Sequence, residues 1–155
     1  MSGLRGWPAV SNDLQTTAQP LQPSPVVIER LTMEFLRVLG LLVVVVGRKD
    51  YIAAASGATL LRNFLIQLMV EDVAVPDRGG ALHQSALLPQ HHREQLYSLP
   101  AIAANSEAVI AAHVECAKVF LPLARQLTTR CDVGWPHALE DATRAYLSAE
   151  LGVLI

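Results

Sequence analysis

Charge is scarce in this chain. Only 17% of its residues are charged while 52% are hydrophobic, and the formal net charge is −2. Proteins that hold nucleic acid cluster Lys and Arg on one face; no such footprint is present, so nucleic acid is not an expected partner. Aromatic residues make up only 5%, which leaves little for stacking on bases. The two cysteines, Cys116 and Cys131, have no C-x-x-C spacing. They read as reduced thiols of a cytoplasmic protein rather than as a disulfide or a redox site. Long apolar runs are missing too. The stretch Val38 to Val46 falls far short of the ~20 residues a membrane-spanning helix needs, and Arg48-Lys49-Asp50 closes it. The N-terminal residues lack the basic and then apolar pattern of an export signal. These features together predict no membrane partner.

Familiar catalytic signatures are also missing. The chain has no G-x-x-x-x-G-K-[ST] phosphate loop, no G-x-S-x-G nucleophile elbow and no G-x-G-x-x-G. A Gly-Ser followed by paired aspartates, with which nucleotidyltransferases hold magnesium and a nucleoside triphosphate, is not there either. No cofactor and no metal are expected.

What remains is mostly Leu, Val and Ala at helical spacing. The 155 residues suffice for one domain with its own core. Residues 1–25 carry Ser11-Asn12-Asp13, Thr16-Thr17, Pro20, Pro23 and Pro25, with Trp7 as the large anchor. They predict a disordered, flexible arm. Residues 26–155 predict an all-α, antiparallel bundle of about five helices.

The first helix begins after Pro25, with Ile28, Leu31, Phe35, Leu39, Leu42 and Val46 on one arc and Glu29, Arg30, Glu34 and Arg37 on the other. Val43-Val44-Val45-Val46 leaves a short strand open as an alternative, and Gly47 stands where a C-cap is expected. A second helix, about Asp50 to Glu71, starts with small residues and ends with Leu60, Leu61, Phe64, Leu65, Leu68 and Met69. Turn residues follow at Val75 to Gly80, then a short helix from about Gln90 to Ser98 and a linker at Pro100 to Ala104. Asn105 or Ser106 caps a long helix in which Val109, Ala112, Cys116, Val119, Leu123 and Leu127 recur, with Pro122 inside it. Pro136 opens a final helix whose inner face reads as Leu139, Ala142, Tyr146 and Ala149, ending near Gly152.

Three groups could carry chemistry. Arg78 and His83, four residues between them, match the loose motif of the helical HEPN nucleases; such a pair could stabilise phosphate charge and move a proton. Gly79-Gly80 favours a plain loop at the same place. His83, His91, His92 and His113 offer imidazoles. Neighbouring side chains leave a helix on different faces, however, and His91 has Gln95 rather than a second ligand on its side. The carboxylates Glu34, Glu71 and Asp72 could supply a general base; Glu71 and Asp72 close the second helix beside the Arg78 loop and would bind substrate there, or else form a solvated helix end.

The stretches Leu61 to Asp72, Arg78 to His83 and Asn105 to Arg125, with Phe120-Leu121-Pro122, also resemble a known helical domain. It is the one C-terminal to the catalytic domain in bacterial nucleotidyltransferases of the aminoglycoside-modifying, kanamycin nucleotidyltransferase-like kind. The resemblance spans roughly residues 30 to 152. It implies a domain that packs on a nucleotidyltransferase catalytic domain, helps form a drug-binding cleft and contributes to a dimer. It also implies a glutamate that activates the acceptor hydroxyl, best matched by Glu34. Because the aspartate-bearing half is absent, the resemblance implies an accessory, substrate-cleft or dimerisation domain that is not catalytic alone. Its partners would be a second copy or a nucleotidyltransferase catalytic domain. The alternative is a HEPN-like ribonuclease or toxin-type module using Arg78 and His83.

Overall fold

The computed structural model describes residues 22–73 and 84–155. Its helices are α1 (Pro25–Gly47), α2 (Tyr51–Asp72), α3 (Gln84–Leu87), α4 (Gln90–Tyr97), α5 (Ser106–Arg130) and α6 (His137–Leu151), with no strand among the described residues. The fold is the all-α bundle that the periodicity implies, with the one-turn α3 added.

The helix starts are chemically marked. The side chains of Ser24, Asp50 and Asn105 accept hydrogen bonds from the backbone N–H of Val27 (3.4 Å), Ala53 (3.1 Å) and Ala108 (2.8 Å). Each satisfies one of the donors that a helix leaves without an internal partner. Helix α1 therefore opens inside the stretch that composition assigns to the arm, with Pro25 in its first turn. At the other end, Gly47 is not the stop. The helix runs through it, Arg48 is the C-cap, and Lys49 takes the left-handed conformation with φ 58°. Three residues then suffice to reverse the chain into α2. At the end of α6, Gly152 does adopt the left-handed cap, φ 64°, where glycine has no Cβ to clash.

The four-valine segment stays helical for an energetic reason. Valine gives up at most ~0.7 kcal/mol relative to alanine in a helix. Burying one Val or Leu side chain returns about 1.5–3 kcal/mol. Leu39, Leu42 and Val43 are buried, and Val45 and Val46 pack against the same core, so packing outweighs propensity.

Helix α1 is central and packs on α2, α5 and α6, while α2 also packs on α5. Ile28, Leu31, Phe35 and Leu39 of α1 meet Leu61, Leu65, Leu68 and Met69 of α2 and Cys116, Phe120 and Leu127 of α5 in one core. At the α1–α5 crossing the rings of Phe35 and Phe120 stack, with centroids 3.7 Å apart and planes 6° from parallel. Among the described residues, α2 is long and apolar enough to cross a membrane by length and composition. It packs on α1 and α5, with 39% of its most apolar window buried.

Of its expected inner face the last helix keeps Leu139, partly buried against the core. Ala142, Tyr146 and Ala149 point outward, and the buried residues are Glu140, Thr143 and Leu147. Apolar spacing misled here because the inner face is built partly from polar groups. The Glu140 carboxylate accepts from Trp135 Nε1 (2.6 Å) and Arg144 Nε (2.9 Å), and also from Arg125, whose guanidinium lies 4.5 Å from the Trp135 ring centroid. Burial by itself would raise the Glu140 pKa. The bonds from Trp135, Arg144 and Arg125 outweigh it and hold the carboxyl below its ordinary value.

Candidate functional site

Two recesses of opposite character lie along α2. The first, about 200 Å³, is bounded by Arg37, Val38, Leu41, Leu42 and Val45 of α1 and Ala53, Ala54, Gly57 and Leu60 of α2. His113 of α5 also lines it. His113 is buried, and its Nδ1–H donates to the Val109 carbonyl at 2.7 Å. Burial lowers its pKa, against the opposite pull of that hydrogen bond, so the ring is neutral at pH 7. Gly57 makes room for it: a Cβ at that position would stand 3.3 Å from His113 Nε2. This recess is apolar with one imidazole beneath it.

The second recess, about 390 Å³, opens between the C-terminus of α2, α4 and the middle of α5. Asp72, His91, His92, Gln95, Lys118 and Gln126 give it polar walls, with Val119, Pro122 and Leu123 behind them. Asp72 is the hub. One carboxylate oxygen lies 2.9 Å from His92 Nε2, and the other accepts from Arg130 at 2.7 Å. The opposite ring nitrogen of His92, Nδ1, is 3.2 Å from Gln95 Oε1. His92 is buried while its neighbour His91 is exposed, yet the two rings lie 4.1 Å apart between centroids. Helical spacing puts Gln95 on the side of His91, with no second ligand there. In the fold His92 takes Gln95, and the Asp72 carboxylate, 20 residues upstream, bonds His92 and comes within 4.8 Å of a His91 ring nitrogen.

The other expected residues are dispersed. Glu34 stands on α1, its carboxylate bound by Arg37 Nη2 at 2.7 Å and Nε at 3.3 Å. The hydrogen bond from Arg37 lowers its pKa, which keeps it ionised and makes it a weak base while that pair persists. Glu71 and Asp72 do not share a pocket. Glu71 is buried and accepts from the Ser24 backbone N–H at 2.8 Å, tying the end of α2 to the start of α1. Asp72 faces the second recess. Arg78 and His83 lie outside the described residues. Burial pushes the Cys116 thiol up to about 12, so it is no nucleophile at neutral pH.

Comparison with protein-family models, curated proteins and solved structures finds no match for this chain.

Proposed function

We propose that the chain is a helical accessory and dimerisation domain, not catalytic alone, of the kind that serves an aminoglycoside-type nucleotidyltransferase. One observation carries this reading. The face of α1 and α2 around the apolar recess leaves large hydrophobic side chains in water, with Leu41 at 45% and Leu60 at 40% exposure. Met33 and Ile52, exposed at 43% and 78%, lie about two turns away on the same helices.

Such a face suits a second copy of the chain. A two-fold interface must be complementary to itself. Here protruding leucines stand beside a recess that can receive them, and the Arg37–Glu34 pair at the edge supplies both signs of charge. The resemblance to the nucleotidyltransferase helical domain points the same way, because that domain contributes to a dimer and packs on a catalytic partner.

Sedimentation equilibrium tests the reading. The chain is expected to be a dimer, and the double variant Leu41→Asp, Leu60→Asp a monomer with unchanged helical circular dichroism. A monomeric parent chain overturns self-association. Mixing with a separately produced domain bearing Gly-Ser and the paired aspartates tests the accessory role: a stable complex is expected, and failure to form one with such domains overturns that role.

A further inference from the structure

We propose that Asp72, His91 and His92 form a binding site for a divalent transition-metal ion of the zinc class, open to the polar recess between α2, α4 and α5. The proposal does not rest on dimerisation.

The donor atoms are already gathered. One carboxylate oxygen of Asp72 and one ring nitrogen from each histidine all lie within 4.8 Å of one another. Zinc holds imidazole nitrogen and carboxylate oxygen at about 2.0–2.2 Å, so two of its ligand atoms stand ~3–3.5 Å apart. The 2.9 Å between His92 Nε2 and Asp72 Oδ2 is close to that spacing. His91 is exposed, and closing the triangle requires its ring nitrogen to move in from within 4.8 Å. Carboxylate oxygen is a hard donor and imidazole nitrogen a borderline one; the two imidazoles favour zinc, cobalt, nickel or copper over magnesium or calcium.

The surroundings are those of a ligand set. The second oxygen of Asp72 is occupied by Arg130, which leaves the first to face His92. Both nitrogens of the buried His92 face oxygen atoms, Asp72 Oδ2 and Gln95 Oε1. A neutral imidazole has a single N–H. With Nδ1–H donating to Gln95 Oε1, Nε2 presents its lone pair on the Asp72 side, as a ligand to a shared cation must. A metal-binding histidine usually donates its far N–H to a carboxylate, a carbonyl oxygen or water, and Gln95 Oε1 is a carbonyl oxygen at that place. Three protein donors leave a further coordination position towards the recess, so water or a small anionic ligand would complete the shell. Arg130 contributes positive charge nearby, as does Lys118 at the recess wall, itself paired with Glu115 at 2.8 Å. Their charge makes the site weaker than a closed four-ligand one.

The test is titration of the untagged full-length chain with cobalt(II), followed by visible absorption, and with zinc(II), followed by calorimetry. One ion per chain is expected. His91→Ala removes an exposed ligand without disturbing the fold and is expected to weaken binding at least tenfold, with unchanged circular dichroism; loss of the outer partner in Gln95→Ala should cost about tenfold. The exposed His137→Ala should bind as the parent does. No saturable uptake would mean that His92 and Asp72 are joined by a hydrogen bond alone, which overturns the proposal. Uptake that His91→Ala leaves unchanged overturns it equally, since the ion then sits elsewhere.

Discussion

The two ends of α2 meet opposite surroundings. Its N-terminal half, Ala53, Ala54 and Gly57, borders an apolar recess shared with α1, whereas its last residue, Asp72, is held by His92 of α4 and Arg130 of α5. At the first end the holding force is area removed from water, which is non-directional and tolerant of small shifts. At the second it is a set of directed bonds from partners 20 and 58 positions away in sequence, where loss of one member leaves another unsatisfied. The apolar end tolerates small relative shifts of its helices. The polar end fixes one geometry.

Substitutions can break this contrast, and the largest effect belongs to the apolar core. Leu61 is fully buried between the helices, and Leu61→Ala should cost about 2–5 kcal/mol, read as a lowered midpoint in urea. A loss under about 1 kcal/mol would show that α2 is not packed as described. Next comes Glu140, a second polar junction. Glu140→Ala removes bonds from Trp135, Arg125 and Arg144 and should cost about 2–3 kcal/mol. Its folded pKa lies below the ordinary 4.5. The stabilisation is therefore fully present above the unfolded value and is lost as pH falls through the folded one. Acid unfolding of the parent should thus be steeper below about pH 4.5 than that of the Glu140→Gln variant; identical acid profiles would refute the assignment. The smallest global effect is expected for Asp72→Ala, about 1–3 kcal/mol. Its signature is local: amide exchange in α4 should accelerate far more than in α1. Equal acceleration in both helices would erase the distinction between the two ends.

Much of the apolar part was legible from spacing. Ile28, Leu31, Phe35 and Leu39 on α1, and Val109, Ala112, Cys116 and Leu127 on α5, are buried where their period places them. Asn105 caps α5 as its chemistry implies. The polar part was legible only in fragments. The spacing of Glu140 and Arg144, four residues apart, was available as a signal, and the apolar wheel of α6 concealed it. Nothing local announces that Asp72 meets His92.

The sequence by itself determined that this chain is helical, where most helices begin, and which faces of α1, α2 and α5 turn inward. Hydrophobic period and capping chemistry act over a few residues and need no partner to be read. Tertiary structure alone decided that the valine run remains helix, that α6 turns Glu140 inward, and that Asp72, His91 and His92 converge. Each of these depends on groups brought together from distant positions, and their free energy exists only once the helices have packed.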